Sequence, residues 1–279
     1  MFAILALASA VLYGAADFVG GFTSKHASAV AVVLVSQLAG LAMVAGVLPF
    51  LGTPAPGQQD WWWGAVAGLA GGIGVALLYR ALAIGTMAVV APVTAVCAVL
   101  VPVATAVFLG ERPGPQATAG IGLALVGILL VSQSDAAHHT TGRLGTGIGL
   151  ALAAGFAIGL FFVALANTSP EAGLWPLVSA RIASVSFFGL VAAVAKTAVR
   201  MNTPVALTAA AGGVLDMTAN LMYLLATRVG PLTLVVTLSS LYPASTVLLA
   251  RVVLHERITR RQWAGIACAL VAIIAILTS

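Results

Sequence analysis

Long apolar segments recur along the whole chain, and they constrain its fold more than any other feature. A helix needs about 20 apolar residues to cross a hydrocarbon core about 30 Å thick. Because a helix satisfies its own backbone hydrogen bonds in lipid, we predict an all-α integral membrane protein with ten transmembrane helices. The ten apolar segments are 2–22, 28–51, 61–83, 86–109, 116–134, 144–166, 173–198, 204–226, 231–253 and 261–278.

The polar connections are too short to hold a soluble domain, even the most polar one, SDAAHHTTGR at 134–143. This excludes a built-in ATPase, and no glycine-rich stretch has the spacing of a phosphate-binding loop. No group of His and Cys has zinc-site spacing, so we predict neither a cofactor nor a metal. The net charge of +5 comes mainly from loops and helix ends, which indicates membrane anchoring and not nucleic-acid binding.

The chain contains an internal repeat. The segment LGERPGPQATAGIGLALVGILLVSQS (109–134) aligns without a gap with LHERITRRQWAGIACALVAIIAILTS (254–279), so that Glu111 meets Glu256, 145 positions later. We predict a first five-helix repeat at 1–134, a connecting segment with the start of the sixth helix at 135–149, and a second five-helix repeat at 150–279.

An odd number of helices in each repeat has a topological consequence. A copy that crosses the membrane five times ends on the opposite side, so the second copy starts there and is inverted relative to the first. Inverted repeats are typical of secondary transporters, in which the substrate site lies near the midplane at the repeat interface. We therefore predict a secondary transporter, and this prediction depends on topology more than on any single motif.

A family resemblance is carried by the two aligned segments and, outside them, by YRALAIGTMAVVAPVTA (79–95), YPA (242–244) and YGAADFVGG (13–21). Together they resemble the paired units of the EamA-like family of the drug/metabolite transporter superfamily. The resemblance implies ten helices, no ATP hydrolysis, and transport of small metabolites, amino acids or drugs; export is the direction we expect. The halves are not chemically equivalent, since His255 stands opposite Gly110 and Thr237 opposite Pro92.

Acidic side chains inside the spans are candidate functional groups, because inserting a charge costs at least about 2.5 kcal/mol and such groups usually face a cavity or a partner. Tyr13 and Asp17 share one helix face, and Asp216 shares another with Asn220 and, a turn further, Tyr223. We predict a substrate or proton site there. The alternatives are structural: an acid near a helix end for Asp17, and a polar contact between helices for Asp216.

Basic and repeated charged residues have two interpretations. Arg181 needs a carboxylate partner, either from the protein or from an anionic substrate, and both possibilities stay open. Arg80 is near a helix end, where its side chain can snorkel to the interface. Glu111 and Glu256 each stand beside an arginine at a helix exit, and we expect a local ion pair that fixes the connection.

Proline and glycine residues mark special positions in three spans. Pro92 and Pro243 interrupt the fourth and ninth spans, where a proline frees a carbonyl and can kink the helix. We predict a kink or cavity lining at both. Gly64, Gly68 and Gly72 recur every four residues and are expected to let two helices approach closely.

We expect a multi-pass protein of a cell membrane, namely the bacterial inner membrane. A small-molecule solute, membrane lipid and, with coupling, protons are the expected partners, with no nucleic acid, and the chain is expected to be a monomer or homodimer. Positive residues concentrate in the odd-numbered connections, which places both termini outside the cytoplasm by the positive-inside rule. The family resemblance implies cytoplasmic termini, and both orientations stay open.

Two other functions compete with coupled export. One is a facilitative or uptake carrier without ion coupling, which flux measurements with and without a proton gradient would distinguish. The other is a membrane-embedded lipid-handling protein or enzyme. No nucleophile and base have convincing spacing, so we do not predict an enzyme.

Overall fold

The computed structural model describes residues 1–24, 26–50, 55–84, 87–131, 144–196, 201–253 and 259–278. Within these ranges the chain forms eleven α-helices. They are α1 (Phe2–Thr23), α2 (Ala29–Val47), α3 (Gln58–Ile84), α4 (Met87–Phe108), α5 (Pro115–Val131), α6 (Leu144–Ala166), α7 (Trp175–Val194), α8 (Thr203–Thr227), α9 (Leu232–Ser239), α10 (Tyr242–Val253) and α11 (Arg260–Leu277).

Seven helices in the described ranges are long and apolar enough to cross a membrane. Three shorter apolar stretches, Val93–Phe108, Pro115–Val131 and Leu232–Thr246, lie where the remaining spans are expected. The predicted class, an all-α protein with several membrane spans, is thereby confirmed for the described part of the chain. The number of ten spans stays a prediction.

Polar side chains fix where several helices begin. The Ser28 hydroxyl accepts a hydrogen bond from the Ala31 backbone N–H at the start of α2, and the Asn202 side chain accepts one from Val205 at the start of α8. Thr259 and the side chain of the residue three positions later form a capping box at the start of α11. Such caps satisfy backbone donors that the first helical turn leaves without partners.

The ninth predicted span consists of two helices. α9 ends at Ser239 and α10 begins at Tyr242, with a turn at Ser240 and Leu241. Pro243 lies in the first turn of α10, a position that tolerates a missing N–H. The interruption predicted at Pro243 is therefore a break in the helix, located just before the proline.

Equivalent helices of the two halves pack in equivalent ways. α1 packs against α8, and its counterpart α6 packs against α3, the counterpart of α8. α6 also packs against α4, as α1 does against α9 and α10. Two pairs consist of counterparts of one another: α2 with α7, and α5 with α11. The packing thus has an approximate two-fold symmetry that relates the halves.

The α5–α11 pair is antiparallel. Gly120, near the start of α5, lies against Ile276 at the end of α11. Gly265, near the start of α11, lies against Val131 at the end of α5. Gln116 in the first turn of α5 also donates a hydrogen bond of 2.6 Å to the hydroxyl that follows α11. Two equivalent helices therefore run in opposite directions.

Small residues allow close contact between α3 and α7, as the glycine spacing predicts. A Cβ at Gly64 would meet the Pro176 carbonyl, and a Cβ at Gly68 would overlap the backbone of Ala180. The equivalent position in the second half, Gly213 on α8, lies against the backbone of Ser36 on α2. The expected role of these glycines in helix packing is confirmed, and it recurs in both halves.

Polar groups join the connections at one end of the bundle. Asp60, in the first turn of α3, accepts hydrogen bonds from the Ser169 backbone N–H at 2.7 Å and from its hydroxyl at 2.9 Å. Arg228, which follows α8, donates to the Thr168 carbonyl and to its hydroxyl. We call Asp60, Thr168, Ser169 and Arg228 the Asp60 cluster. These hydrogen bonds join the start of α3 and the end of α8 to the connection between α6 and α7.

The Asp60 cluster lies at the end of the bundle where α1 begins, because Phe2 packs against Gly230 in the connection that also contains Arg228. Burial lowers the pKa of Arg228, and the carboxylates of Asp60 and Glu171 act in the opposite direction. An arginine stays protonated in a protein even when it is partly buried. The carboxylates therefore compensate a charge that has lost part of its hydration.

Glu111 has a different partner from the one expected. Its carboxylate accepts hydrogen bonds from the backbone N–H groups of Leu232 at 2.7 Å and Thr233 at 3.1 Å, and from the Thr233 hydroxyl. It thus caps the start of α9, where a negative charge also meets the positive end of the helix dipole. The expectation of a local ion pair with Arg112 is wrong, whereas a role in fixing a connection is retained. Glu256, for which the same ion pair was expected, lies outside the described residues.

Candidate functional site

A central cavity of about 90 Å³ lies among helices from both halves of the chain. By volume it has room for several water molecules. Its charged and polar lining comes from α1, α2, α7, α8 and α10, and most of its apolar lining from α3 and α6. The polar lining residues are Tyr13, Asp17, Gln37, Arg181, Ser184, Asp216, Asn220 and Tyr242.

A buried ion pair forms the centre of the polar lining. The Arg181 Nη2 lies 2.5 Å from the Asp216 Oδ2. The Arg181 side chain is only 8% accessible, whereas the Asp216 side chain is 35% accessible. Of the two alternatives for Arg181, the structure provides the carboxylate from the protein. The accessible side of Asp216 is the part of the pair that faces the cavity.

Arg181 is held by further contacts on its own side. Its Nη1 donates a hydrogen bond to the Gln37 Oε1, and its Nε contacts the Met217 sulfur at 3.3 Å. The Ser184 hydroxyl donates to the same Gln37 oxygen at 3.1 Å. Each nitrogen of the guanidinium therefore has a partner, so the group is fixed in one orientation.

The network continues from Asp216 to the first helix. Asn220 Nδ2 donates to the Asp216 backbone carbonyl at 2.7 Å and to its carboxylate at 3.1 Å. The Asn220 Oδ1 in turn accepts a hydrogen bond of 2.8 Å from the Tyr13 hydroxyl. We call Tyr13, Asn220, Asp216, Arg181, Gln37 and Ser184 the polar chain. It links α1 and α2 of the first half to α7 and α8 of the second.

Asp17 differs from Asp216, the other acid of the cavity lining, in its contacts. It lines the cavity, one helical turn from Tyr13, and is only partly exposed. Its carboxylate interacts electrostatically with Asp216 and Tyr242, but it has no hydrogen bond or ion pair to any described residue. The polar chain thus passes beside Asp17 without including it.

The remaining four candidate residues are not among the described residues of the cavity lining. Tyr223 is fully buried and donates a hydrogen bond of 3.0 Å to the Phe162 carbonyl, so the structure does not bring it into the cavity wall. Pro243 starts α10 beside Tyr242, which does line the cavity. Pro92 falls within α4, and its side chain lies outside the described residues. Arg80 is exposed near the end of α3.

The cavity has unlike walls at equivalent positions of the two halves. The wall formed by α1 and α8 is polar, and the wall formed by their counterparts α6 and α3 is apolar. The same offset that aligns the repeats relates the residues of the two walls, all of which line the cavity. The equivalent pairs are Tyr13 with Ile158, Asp17 with Phe162, Asp216 with Gly71, and Asn220 with Val75.

Sequence reasoning missed Gln37 and Ser184 as parts of the site. Both are uncharged, and neither stands out in an apolar span. One signal was present: the position equivalent to Arg181 is Ser36, directly beside Gln37. Since α2 and α7 pair with one another, residues near equivalent positions on these helices are brought together.

One comparison with known proteins identifies the family. A family profile described as the EamA-like transporter family matches residues 1–133 and, separately, residues 145–278. A solved structure described only as a crystal structure of a protein has a TM-score of 0.80 at 18% identity, covering 99% of this chain and 98% of that chain. This likeness shows a shared fold, and no curated protein matches the chain. The chain belongs to the EamA-like transporter family, and it is therefore a multi-pass membrane protein of a family of membrane transporters in the drug/metabolite superfamily.

Proposed function

We propose that the protein is a secondary transporter that exports a small amphipathic solute by alternating access, in a bacterial inner membrane. The observation that carries this proposal is the central cavity, which both halves line and which contains a buried ion pair. Ionisable groups inside a membrane bundle mark substrate or proton pathways. A cavity between two halves is also where transporters with internal repeats bind their substrates.

The halves are related as inverted repeats in this proposal. The antiparallel α5–α11 pair supports it, because two counterparts that run in opposite directions require one half to be turned over relative to the other. Rocking of the halves about the cavity would expose it first to one side of the membrane and then to the other. The same residues would then face both compartments in turn.

The residues of the cavity take different roles. Asp17 and Asp216 bind solute or proton, and Arg181 holds Asp216 in place through the ion pair. Tyr13 and Asn220 position the carboxylate of Asp216 through their hydrogen bonds. Tyr223 supports the cavity wall from outside the cavity, through its hydrogen bond to the Phe162 carbonyl. Pro92 provides a position where the fourth span can bend, and Pro243, at the helix break, provides one in the ninth span.

Proton coupling follows from the difference between the two acids. Asp216 is paired with Arg181, so its carboxylate already has a cationic partner in every state that keeps the pair. Asp17 has no such partner among the described residues, so it is the group that can exchange a proton for a solute. Export would then be driven by proton entry through the same cavity.

Flux measurements in proteoliposomes test this function. The purified full chain is expected to move a solute faster when a proton gradient is imposed, and Asp17→Asn and Asp216→Asn are each expected to abolish that acceleration. Glu171→Gln, which removes an exposed carboxylate outside the cavity, serves as the matched control and should keep the acceleration by the gradient. Transport that ignores the gradient would identify a facilitative carrier and refute coupling.

A further inference from the structure

The charges that line the cavity do not cancel. Among the described residues, the charged groups in the lining are Asp17, Arg181 and Asp216. Arg181 and Asp216 form an ion pair, so their charges compensate one another. The carboxylate of Asp17 is left as an uncompensated negative charge that a bound solute can meet.

An anionic solute would have to disrupt this arrangement. Each nitrogen of the Arg181 guanidinium already donates to a partner, namely Asp216, Gln37 or the sulfur of Met217, so an anion would compete with these partners for the group. It would also approach two carboxylates. A cation, in contrast, can reach Asp17 and the accessible side of Asp216 without breaking any hydrogen bond.

Aromatic rings surround the polar end of the cavity. Tyr13 makes edge contacts with Tyr242, at a centroid distance of 6.4 Å, and with Phe162, at 6.1 Å. All three residues line the cavity, and Asp17 is one turn from Tyr13. Ring faces attract an organic cation that has lost part of its hydration. The surroundings of Asp17 therefore favour an ammonium group over a strongly hydrated metal ion.

The opposite wall fits an apolar body. It is formed by side chains such as Val75, Ile158 and Phe161, and at Gly71 and Gly72 it has no side chain at all. A Cβ at Gly71 would lie 2.9 Å from the Phe161 ring, so this glycine lets the ring pack directly against α3. A solute with one charged end and an apolar remainder matches both walls at once.

We infer that the solute is a small amphipathic amine in its ammonium form, with the nitrogen at Asp17 and the hydrocarbon part along the α3 and α6 wall. This inference rests on the proposed function, since it names the class of solute for the same cavity. The zwitterionic class is the nearest competitor, because it also carries an ammonium group. Its carboxylate, however, would approach Asp17 and Asp216 and would compete with the partners of Arg181.

Binding of matched probes to the full chain tests the class of solute. Butylamine, benzylamine and phenethylamine are each compared by calorimetry with the alcohol and the carboxylate of the same skeleton, and with phenylalanine as a zwitterion. At least one amine is expected to bind at least tenfold more tightly than its alcohol, carboxylate or zwitterionic analogue. Tighter binding of a carboxylate or of phenylalanine, or no preference for any amine, would overturn the inference.

Variants assign the preference to Asp17. Asp17→Asn is expected to remove the preference for the amine, Asp17→Glu to retain it, and Glu171→Gln to leave it unchanged. The Glu variant guards against a loss of binding that reflects misfolding. An amine preference that survives in a folded Asp17→Asn protein would overturn the assignment.

Flux of the same probes separates failure of this inference from failure of the proposed function. Transport of an alcohol or a carboxylate but not of an amine would leave the transporter function intact and refute the amine class. Tight binding of an amine that never crosses the membrane under any gradient would support the class and refute transport.

Discussion

At the scale of single residues, the Arg181–Asp216 pair is the group whose loss should be felt most. Removing one partner of a buried ion pair typically costs on the order of 3 kcal/mol, because the other charge is left buried without compensation. Arg181 is the more buried partner. We therefore expect Asp216→Leu to lower the thermal unfolding temperature of the purified protein clearly, since the guanidinium would keep only Gln37 and a sulfur contact.

The double variant Arg181→Met, Asp216→Leu provides the matched control for this prediction. Replacing both charges with apolar groups of similar size is often close to neutral, so the double variant should be more stable than Asp216→Leu alone. Both proteins are compared by thermal unfolding in the same detergent. A double variant that is no more stable than the single one would show that the uncompensated charge is not the cause.

Protonation of Asp17 should compete with solute binding. The titratable groups around it in the described residues are Tyr13 on its own helix, Asp216 on α8, Arg181 on α7 and Tyr242 on α10. Because a proton removes the negative charge that an ammonium group needs, acidification without a gradient should raise the apparent KM for an amine. The same measurement on Asp17→Asn should show no such rise, and an equal pH dependence in that variant would contradict the prediction.

At the scale of helices, the contact of Gly68 with α7 gives a sharp prediction. A Cβ at Gly68 would overlap the backbone of Ala180, which cannot move aside as a flexible side chain could. Overpacking of this kind costs about 1–3 kcal/mol, so Gly68→Ala should lower the unfolding temperature. Gly122→Ala is the control, because nothing lies close to that position and alanine is the better helix former.

The helices themselves could be predicted from the sequence, because the length and apolarity of a span are local properties. Two features depend on the neighbours of a helix and could not be predicted in this way. Pro243 predicts an interruption of the ninth span, but not that the helix breaks at Ser240 and Leu241, before the proline. Glu111 caps α9, which is far away in the chain. In each case the sequence shows a residue with special chemistry but not the element that it meets.

The sequence predicted only part of the candidate site, because contacts between helices are not local properties of the sequence. Spacing on one helix correctly placed Asp216 beside Asn220, and both line the cavity together with Tyr13. Tyr223 was grouped with them because it lies one turn further on, yet a face of a helix is wide enough to contact two neighbours. The sequence does not show that α6 covers Tyr223 while the cavity reaches only as far as Asn220.

At the scale of the whole molecule, the arrangement of the halves predicts which connections share a side of the membrane. His26 follows α1 and Gly114 precedes α5, and the helix order places these exposed residues at opposite ends of the bundle. In a protein with Cys97→Ala and Cys268→Ala, we expect an impermeant maleimide to label Gly114→Cys from outside intact cells. The positive charges near His26 favour the cytoplasm for that end.

The complementary variant completes the topology test. His26→Cys in the same background should be labelled only after the cells are permeabilised. The opposite pattern for both variants would reverse the orientation and agree with cytoplasmic termini. Labelling of both positions from the same side would contradict the crossing order of the helices.

We predict that the Asp60 cluster limits the rate of transport. If the solute leaves through the end where α1 begins, the hydrogen bonds of Asp60 to Ser169 and of Arg228 to Thr168 must break in every cycle. Hydrogen bonds to charged groups contribute about 1.5–3 kcal/mol each, so opening, and not release of the solute, would limit turnover. Ser169→Ala removes one of these bonds and should raise the transport rate roughly fivefold per 1 kcal/mol lost, with solute binding unchanged.

Thr118→Ala is the control for that rate, since the Thr118 hydroxyl bonds only to the backbone at the start of its own helix. A rate that rises equally in both variants, or in neither, would rule out the cluster as the slow step. A rise confined to Ser169→Ala would mean that a substitution at position 169 adjusts how fast a cell exports the solute without changing which solute is recognised.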